Sequence, residues 1–353
     1  MGLPEILIEF KAKAETAVKR SENGIVALIL RDDTKSGDGN LSYKYQTATD
    51  YGLTSSWSTT NRRYLNLAFA GLPKNVLVER IGADETYDDA LARLRGKKWN
   101  YLAIPVIAED DVQTIADWII AQRSAKKSFK AVLPNCSANH EGIINFTTEG
   151  IKCGTYSYST AEFCVRIAGL LAGLPMTESA TYQVLADVTS ITESLTADED
   201  INSGKFILVN DGEKIKVGRG VNSLATLSGD KTEDMKKIKI IEGMDMMRDD
   251  IRATFENNYI GINNSYDNKV MFVAAINQYF DGLARLGVLY GEAENIADID
   301  VTAQRDWLAQ KYDVSEYSDD QIRKAKTGSF VFVKANVTFC DAIEDMSFSI
   351  NME

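Results

Sequence analysis

His140 is the only histidine in the 353 residues. A Ser-His-Asp or Cys-His nucleophilic system would therefore have to be built on that one imidazole. It falls in the polar stretch Asn135 to Gly142, ahead of the apolar run Ile143 to Phe146, where a loop histidine with no catalytic task is expected. A zinc site of the His/Cys kind needs ligands at short spacings, which Cys136 and His140 only begin to supply. The four cysteines, Cys136, Cys153, Cys164 and Cys340, contain no CxxC pair and lack the density of a disulfide-stapled domain, so they read as reduced core residues. Gly218-Arg219-Gly220 lacks the third glycine of a dinucleotide fingerprint, and no GxxxxGK[ST] phosphate loop occurs. Asp198-Glu199-Asp200-Ile201-Asn202 opens like a calcium loop. Ser203 then stands where the turn glycine belongs and Val209 where the bidentate Glu belongs, so a solvated acidic loop is expected. The pairs Asp249-Asp250 and Asp319-Asp320 suit exposed helix faces, with nothing to mark either as an acid/base couple. No catalytic, cofactor or metal residue is expected.

Composition bounds the partners. Hydrophobic residues make up 44% and charged residues 25%, the balance of a folded chain long enough for two or three compact units. The formal charge of -12 repels polyanions, which argues against nucleic acid. No stretch reaches the apolar length that spans a bilayer, and Met1 to Phe10 carries Glu5 and Glu9 in place of a basic, apolar leader. Assembly in the cytoplasm with no membrane insertion is the expectation.

Any function must then be positioned by the elements. Ile6, Ile8 and Phe10 alternate along a short strand after Pro4, followed by a polar, Ala-rich stretch to Asn23. Gly24 opens a continuous apolar strand, Ile25 to Leu30, and Asp32 to Asn40 is a loop. Helix Thr59 to Ala70, strand Asn75 to Ile81, helix Thr86 to Arg95, strand Tyr101 to Ile107, helix Asp110 to Arg123 and strand Phe129 to Leu133 then alternate. That rhythm predicts a largely parallel sheet covered by helices. Helix Thr160 to Leu171 ends at Gly173 and Pro175. A small β-rich region, 182–228, contains a hairpin about Asp211-Gly212, flanked by Lys205 to Asn210 and Lys214 to Val217. Long helices Thr232 to Asn258, with a possible break at Gly243, and Asn268 to Tyr290 follow. Helices Thr302 to Lys311 and Ser318 to Lys326 come next, then strands Ser329 to Phe339 and Met346 to Met352.

Strand patterns thus close both ends of the chain. Such a strand either pairs within its own sheet or is donated to a neighbour's sheet edge, where backbone hydrogen bonds give affinity and alternate side chains give register. The second helix end holds Arg323, Lys324 and Lys326, a basic spot on an acidic protein. It complements the helix dipole and is also a candidate contact for an acidic partner.

Leu3-Pro4 through Phe10, Lys11 to Arg20 and Gly24 to Leu30 together resemble the start of contractile-phage tail sheath proteins. At the other end, Lys334-Ala335-Asn336-Val337-Thr338 and Asp341-Ala342-Ile343-Glu344-Asp345-Met346 are similar to that family's closing strands about an Asp-Ala-hydrophobic-Glu turn. Asn277, Tyr279 and Phe280 resemble a helix of its C-terminal domain. The short length resembles minimal sheaths of phage-like bacteriocins and defective prophages, including clostridial, diffocin-type ones.

The resemblance implies an α/β and α+β multidomain chain: an N-terminal arm strand and linker (1–22), a central α/β domain of the kind called subtilisin-like (23–230), a C-terminal α+β core-layer domain (231–340) and a C-terminal arm strand (341–353). It implies a helical homo-oligomer around an inner tail tube protein, capped by baseplate and tail-terminator proteins, which contracts to drive the tube through a cell envelope. In that scheme Ile6, Ile8, Phe10, Met346, Phe348 and Ile350 exchange strands between subunits, and Arg323, Lys324 and Lys326 touch the tube. No Asp/His/Ser set can be carried over, so no protease activity follows. The rival readings are an α/β hydrolase-like enzyme using the Tyr101 to Leu133 region and a monomeric binding module.

Overall fold

A computed structural model describes residues 24–33, 40–50, 56–82 and 85–352. These divide into two compact units, 24–242 with 342–352, and 243–341. The expected N-terminal strand with Ile6, Ile8 and Phe10 lies outside the described residues.

In the larger unit the chain runs β1 (Ile25–Arg31), β2 (Ser42–Tyr45), α1 (Thr59–Phe69), β3 (Asn75–Ile81), α2 (Tyr87–Arg95), β4 (Tyr101–Ala103), α3 (Glu109–Ser124), β5 (Lys130–Pro134) and β6 (Ile143–Phe146). It continues through β7 (Glu149–Cys153), β8 (Tyr156–Tyr158), α4 (Thr160–Gly173), β9 (Ser190–Thr192), α5 (Ala197–Asn202), β10 (Lys205–Phe206), β11 (Leu208–Asn210) and β12 (Ile215–Val217). The main sheet has the order β10-β6-β5-β4-β1-β3-β2 and is parallel except for β2. Because β1 is covered on both faces, its sequence is a continuous apolar run with no alternation. One face packs Leu65, Phe163 and Ile167 of α1 and α4, and the other packs Leu91, Leu94 and Ile115 of α2 and α3.

Helices α1 and α4 meet through backbone. A Cβ at Gly169 would stand 2.1 Å from the Ala68 carbonyl oxygen, and one at Gly173 would stand 1.7 Å from that of Gly71. The start of α4 is fixed by a reciprocal capping box between Ser159 and Glu162.

Several sequence expectations are corrected here. The strand expected over Tyr101 to Ile107 stops at Ala103, since Pro105 has no N–H for a ladder. The expected acidic loop at Asp198 to Asn202 is helix α5, with Asp198, Glu199 and Asp200 in its first turn, where the positive end of the helix favours carboxylates. Lys205 to Asn210 splits: β10 joins the main sheet beside β6, while β11 pairs with β12 across the Asp211-Gly212 turn, Gly212 at φ 96°. Cys136 and Cys164 are buried as expected, whereas Cys153 and Cys340 are only half-buried. The β2 strand and the antiparallel β8-β7-β9 sheet have no counterpart in the expected elements.

After a short 3-10 turn at Glu233–Lys236, α6 (Ile238–Asn258) carries the chain from one unit into the next. It is not broken at Gly243. The missing side chain there makes room for the Phe339 ring, which would lie 2.8 Å from a Cβ. The smaller unit continues with α7 (Tyr266–Arg285), β13 (Ile296–Ile299), α8 (Val301–Ala309), α9 (Asp319–Lys324) and β14 (Val333–Asn336). Ser265, Asp300 and Ser318 cap the N-termini of α7, α8 and α9 through side-chain oxygens. The strand expected over Ser329 to Phe339 contracts to β14, and Met346 to Met352, expected as a strand, is unpaired coil within the chain.

Candidate functional site

The residues with chemical potential are spoken for. The Gly142 N–H donates to Nδ1 of His140 at 2.9 Å, and its neighbour Glu141 pairs with Lys231 at 3.1 Å and Arg123 at 3.6 Å. At the C-terminal end of β1, where strand order reverses and open α/β sheets bind ligands, a cavity of about 220 Å³ is lined by Arg31, Ser58, Asn61 and Tyr87. It is smaller than the roughly 300 Å³ at which ligand pockets begin. The Arg31 guanidinium donates to the Gly82 and Glu85 carbonyls at 2.9 and 2.7 Å, and the Asp32 carboxylate accepts from Ser58 N and Asn61 Nδ2. Burial pushes the Cys136 and Cys153 thiols up to about 11, leaving them protonated and poor nucleophiles at neutral pH. Among the described residues no group of His, Cys, Asp and Glu is placed to hold a metal.

Two other places carry unsatisfied binding capacity. The first is the C-terminal arm, in the larger unit. Glu344, 8% exposed at its side chain, accepts hydrogen bonds from Ser179 Oγ at 2.8 Å and Thr181 Oγ1 at 2.6 Å, with Arg219 Nε 3.7 Å away. Arg219 also pairs with Asp345 at 2.6 Å. This carboxylate roots the chain. Beyond it, 346–352 forms no helix or strand, and Met346, Phe348, Ile350 and Met352 stand 70 to 94% exposed. A row of alternate large apolar side chains in water is costly, at about 25 cal/mol per Å² that burial would recover.

The second is the two-stranded ladder of the smaller unit. β13 and β14 pair antiparallel, with Ile296 opposite Asn336, Ala297 opposite Ala335, Asp298 opposite Lys334 and Ile299 opposite Val333. Ala297 and Ile299 are buried. From the flank of β13, the Asn277 carboxamide on α7 donates to the Ala297 carbonyl at 3.1 Å and accepts from its N–H at 2.6 Å. A single two-stranded ladder of this kind leaves unpaired backbone at an edge.

Of the candidate residues, Met346, Phe348 and Ile350 fall on the exposed arm. Arg323 is held bidentately by Asp298 at 2.6 Å for both contacts, which keeps the Asp298 carboxyl below its ordinary value, and Lys324 pairs with Asp320 at 2.7 Å. Lys326 is exposed, with no ion pair among the described residues. Glu344 and Asn277 stand in the sequence only as parts of the family-like turn and helix, with no role assigned to either side chain. The signal for Asn277 is a polar residue on an otherwise apolar helix stripe, and for Glu344 a carboxylate ahead of an alternating tail.

The family model described as the phage tail sheath C-terminal domain matches residues 230–353, and that of the phage tail sheath protein central domain matches 83–223. The tail sheath protein of Clostridium phage phiCD119 is 34% identical over 364 aligned positions, covering 99% of each chain. The phage-like element PBSX protein XkdK of Bacillus subtilis is 27% identical over 249 positions, 68% of this chain and 50% of that one. Among solved structures, the sheath tail protein Lin1278 from Listeria innocua superposes with TM-score 0.71 at 16% identity, covering 96% of this chain and all of that one. The helical sheath of the anti-feeding prophage in its contracted state gives TM-score 0.71 at 12% identity, covering 94% of each.

Proposed function

The chain belongs to the phage tail sheath family and is a structural sheath subunit, and from that premise we propose that its copies are woven together by their terminal arms. Ile6, Ile8 and Phe10 at one end and Met346, Phe348 and Ile350 at the other enter neighbouring subunits as added strands. Flexible linkers let the lattice change pitch while strand pairing persists. The observation that carries the reading is the arm itself: 346–352 hangs from a buried carboxylate anchor with its alternating apolar row in water.

The helical polymer surrounds an inner tube, ends at baseplate and terminator proteins, and contracts because the shorter state buries more surface between copies. The work is mechanical, with no catalysis and no nucleotide. The seven-stranded sheet is the central layer that the resemblance calls subtilisin-like. Assembly takes place in the bacterial cytoplasm before release as part of a tail particle, of phage or diffocin type. Arg323, Lys324 and Lys326 face the tube, with Lys326 supplying the net charge because the other two are balanced within the chain.

Negative-stain electron microscopy of the intact chain and of a chain ending at Asp345 tests the weaving. Tubes or sheets are expected from the intact chain alone, with both chains melting within about 2 °C of each other, because residues 346–352 are exposed and form no helix or strand. Polymers from the shortened chain would overturn the role of the arm.

A further inference from the structure

Half of the large apolar side chains on the C-terminal arm are thioethers. Met346, Phe348, Ile350 and Met352 alternate with Ser347, Ser349 and Asn351 beyond the Glu344 root. Met346 is 86% exposed and Met352 94%, whereas Met271 reaches 39% and Met176, Met246 and Met247 stand at 8% or less. Met235 and Met244 are half-buried. Among the described residues, the two methionines most open to solvent thus share one short segment that forms no helix or strand. Strand propensity favours aromatic and β-branched side chains, as at Phe348 and Ile350. Methionine at the two ends of the row supplies instead an unbranched, polarizable side chain that adapts to an irregular surface. The same sulfur is the atom of the arm most readily oxidised.

We propose that Met346 and Met352 are modification sites for peroxides and together form an oxidant-sensitive gate on assembly. In the unassembled subunit one peroxide oxygen passes to each thioether. The sulfur lone pair forms the S–O bond as the O–O bond breaks, hydrogen peroxide leaves as water, and methionine sulfoxide results. Each end of the apolar row thereby becomes a polar, chiral group, and an acceptor carried into an apolar contact without a donor is costly. With both ends changed, the arm no longer offers a continuous apolar face. The step is reversible by a methionine sulfoxide reductase: two thiols give up their hydrogens to form a disulfide, and the oxygen leaves as water. The block to assembly rests on the strand-exchange reading above, whereas the modification follows from exposure. Once an arm is seated its sulfurs lie out of water, so a finished polymer is protected where a free subunit is not.

The test treats unassembled full chain with hydrogen peroxide, quenches with catalase and then allows assembly. A second full chain carries Met346→Leu and Met352→Leu, which keep the apolar row but form no sulfoxide. Peptide mass spectrometry is expected to show Met346 and Met352 oxidised about tenfold or more faster than Met246 and Met247, and slowed by a similar factor in preformed polymers. Sedimentation and electron microscopy should show polymer from the oxidised natural chain reduced about fivefold or more, with its melting within about 2 °C of the untreated chain. Methionine sulfoxide reductase with dithiothreitol should restore it, and the leucine chain should assemble equally before and after peroxide. Undiminished polymer from chain oxidised at both positions overturns the gate and leaves strand exchange standing. So does recovery with dithiothreitol alone, or loss of assembly by the leucine chain on peroxide treatment, since either places the sensitive group elsewhere. If the leucine chain assembles poorly before treatment, the reductase step decides, and no recovery overturns the gate. An untreated natural chain that forms no polymer removes the strand-exchange reading and the gate with it.

Discussion

The Glu344 side chain has been moved almost wholly out of water, where a polar group left without partners is costly. Two hydroxyls and a guanidinium meet it. Hydrogen bonds to a charged group contribute about 1.5–3 kcal/mol, so Glu344→Ala is expected to speed proteolytic cleavage within 342–346 at least tenfold while the main sheet stays intact. Limited proteolysis read by mass spectrometry checks this. Lys269 is the opposite case, a buried ammonium that among the described residues is held only by neutral oxygens: Thr327 Oγ1 at 2.8 Å, the Ala325 carbonyl at 3.3 Å and Gln304 Oε1 at 3.5 Å. Burial lowers its pKa from the ordinary lysine value. The unfolded chain therefore binds this proton more tightly than the folded one, and the group's penalty falls as pH rises through the folded pKa toward about 10.4. Relative to Lys269→Met, the natural chain should gain stability as pH rises from neutrality toward about 10.4, measured by urea titration at each pH. A constant difference would show that Lys269 does not titrate in that window.

Among the elements, the α1–α4 contact is the most sharply constrained. Gly169→Ala raises helix propensity by about 1 kcal/mol, yet its methyl would enter the Ala68 carbonyl at 2.1 Å. Overpacking of this kind costs about 3 kcal/mol or more when backbone is the obstacle. A net loss of at least about 2 kcal/mol is expected in chemical denaturation, and an unchanged midpoint would mean that the two helices can separate. The α/β rhythm was legible in the sequence because β1, β3, β4 and β5 are short, largely apolar runs that alternate with helices. The failures are equally specific. Ser42–Tyr45 is an edge strand with one face in water, and its four residues are too few to show a period. Ile296–Ile299 has no counterpart among the expected elements, since four residues holding Asp298 are too few to show a period, and its pairing with β14 spans more than thirty residues that no local pattern reports. The arm was legible as an alternating strand but not as a coil within its own chain, since alternation reports the faces a segment can offer and is silent on which chain supplies the partner. Glu344 was visible as one residue of a turn. Its anchor role needs Ser179, Thr181 and Arg219, all more than a hundred positions away.

At the scale of the whole molecule, every copy brings a formal charge of -12 to an assembly of like copies. Their mutual repulsion opposes polymerisation when screening is weak. The screening length falls from about 30 Å at 0.01 M salt to about 8 Å at 0.15 M, so the pelletable fraction is expected to rise severalfold over that range in sedimentation assays. Contacts made chiefly of ion pairs between copies would give the reverse trend. The short free segment beyond the Glu344 anchor has a further consequence. Residues 346–352 can span no more than about 25 Å when fully drawn out, at roughly 3.3–3.6 Å per residue. Each subunit thus carries a ruler fixed at one end by a carboxylate. In the weaving proposed above, one copy's anchor and the edge that receives its arm stay within that length in every state of the lattice, and a substitution at Ser179, Thr181 or Arg219 lengthens the ruler without altering its tip.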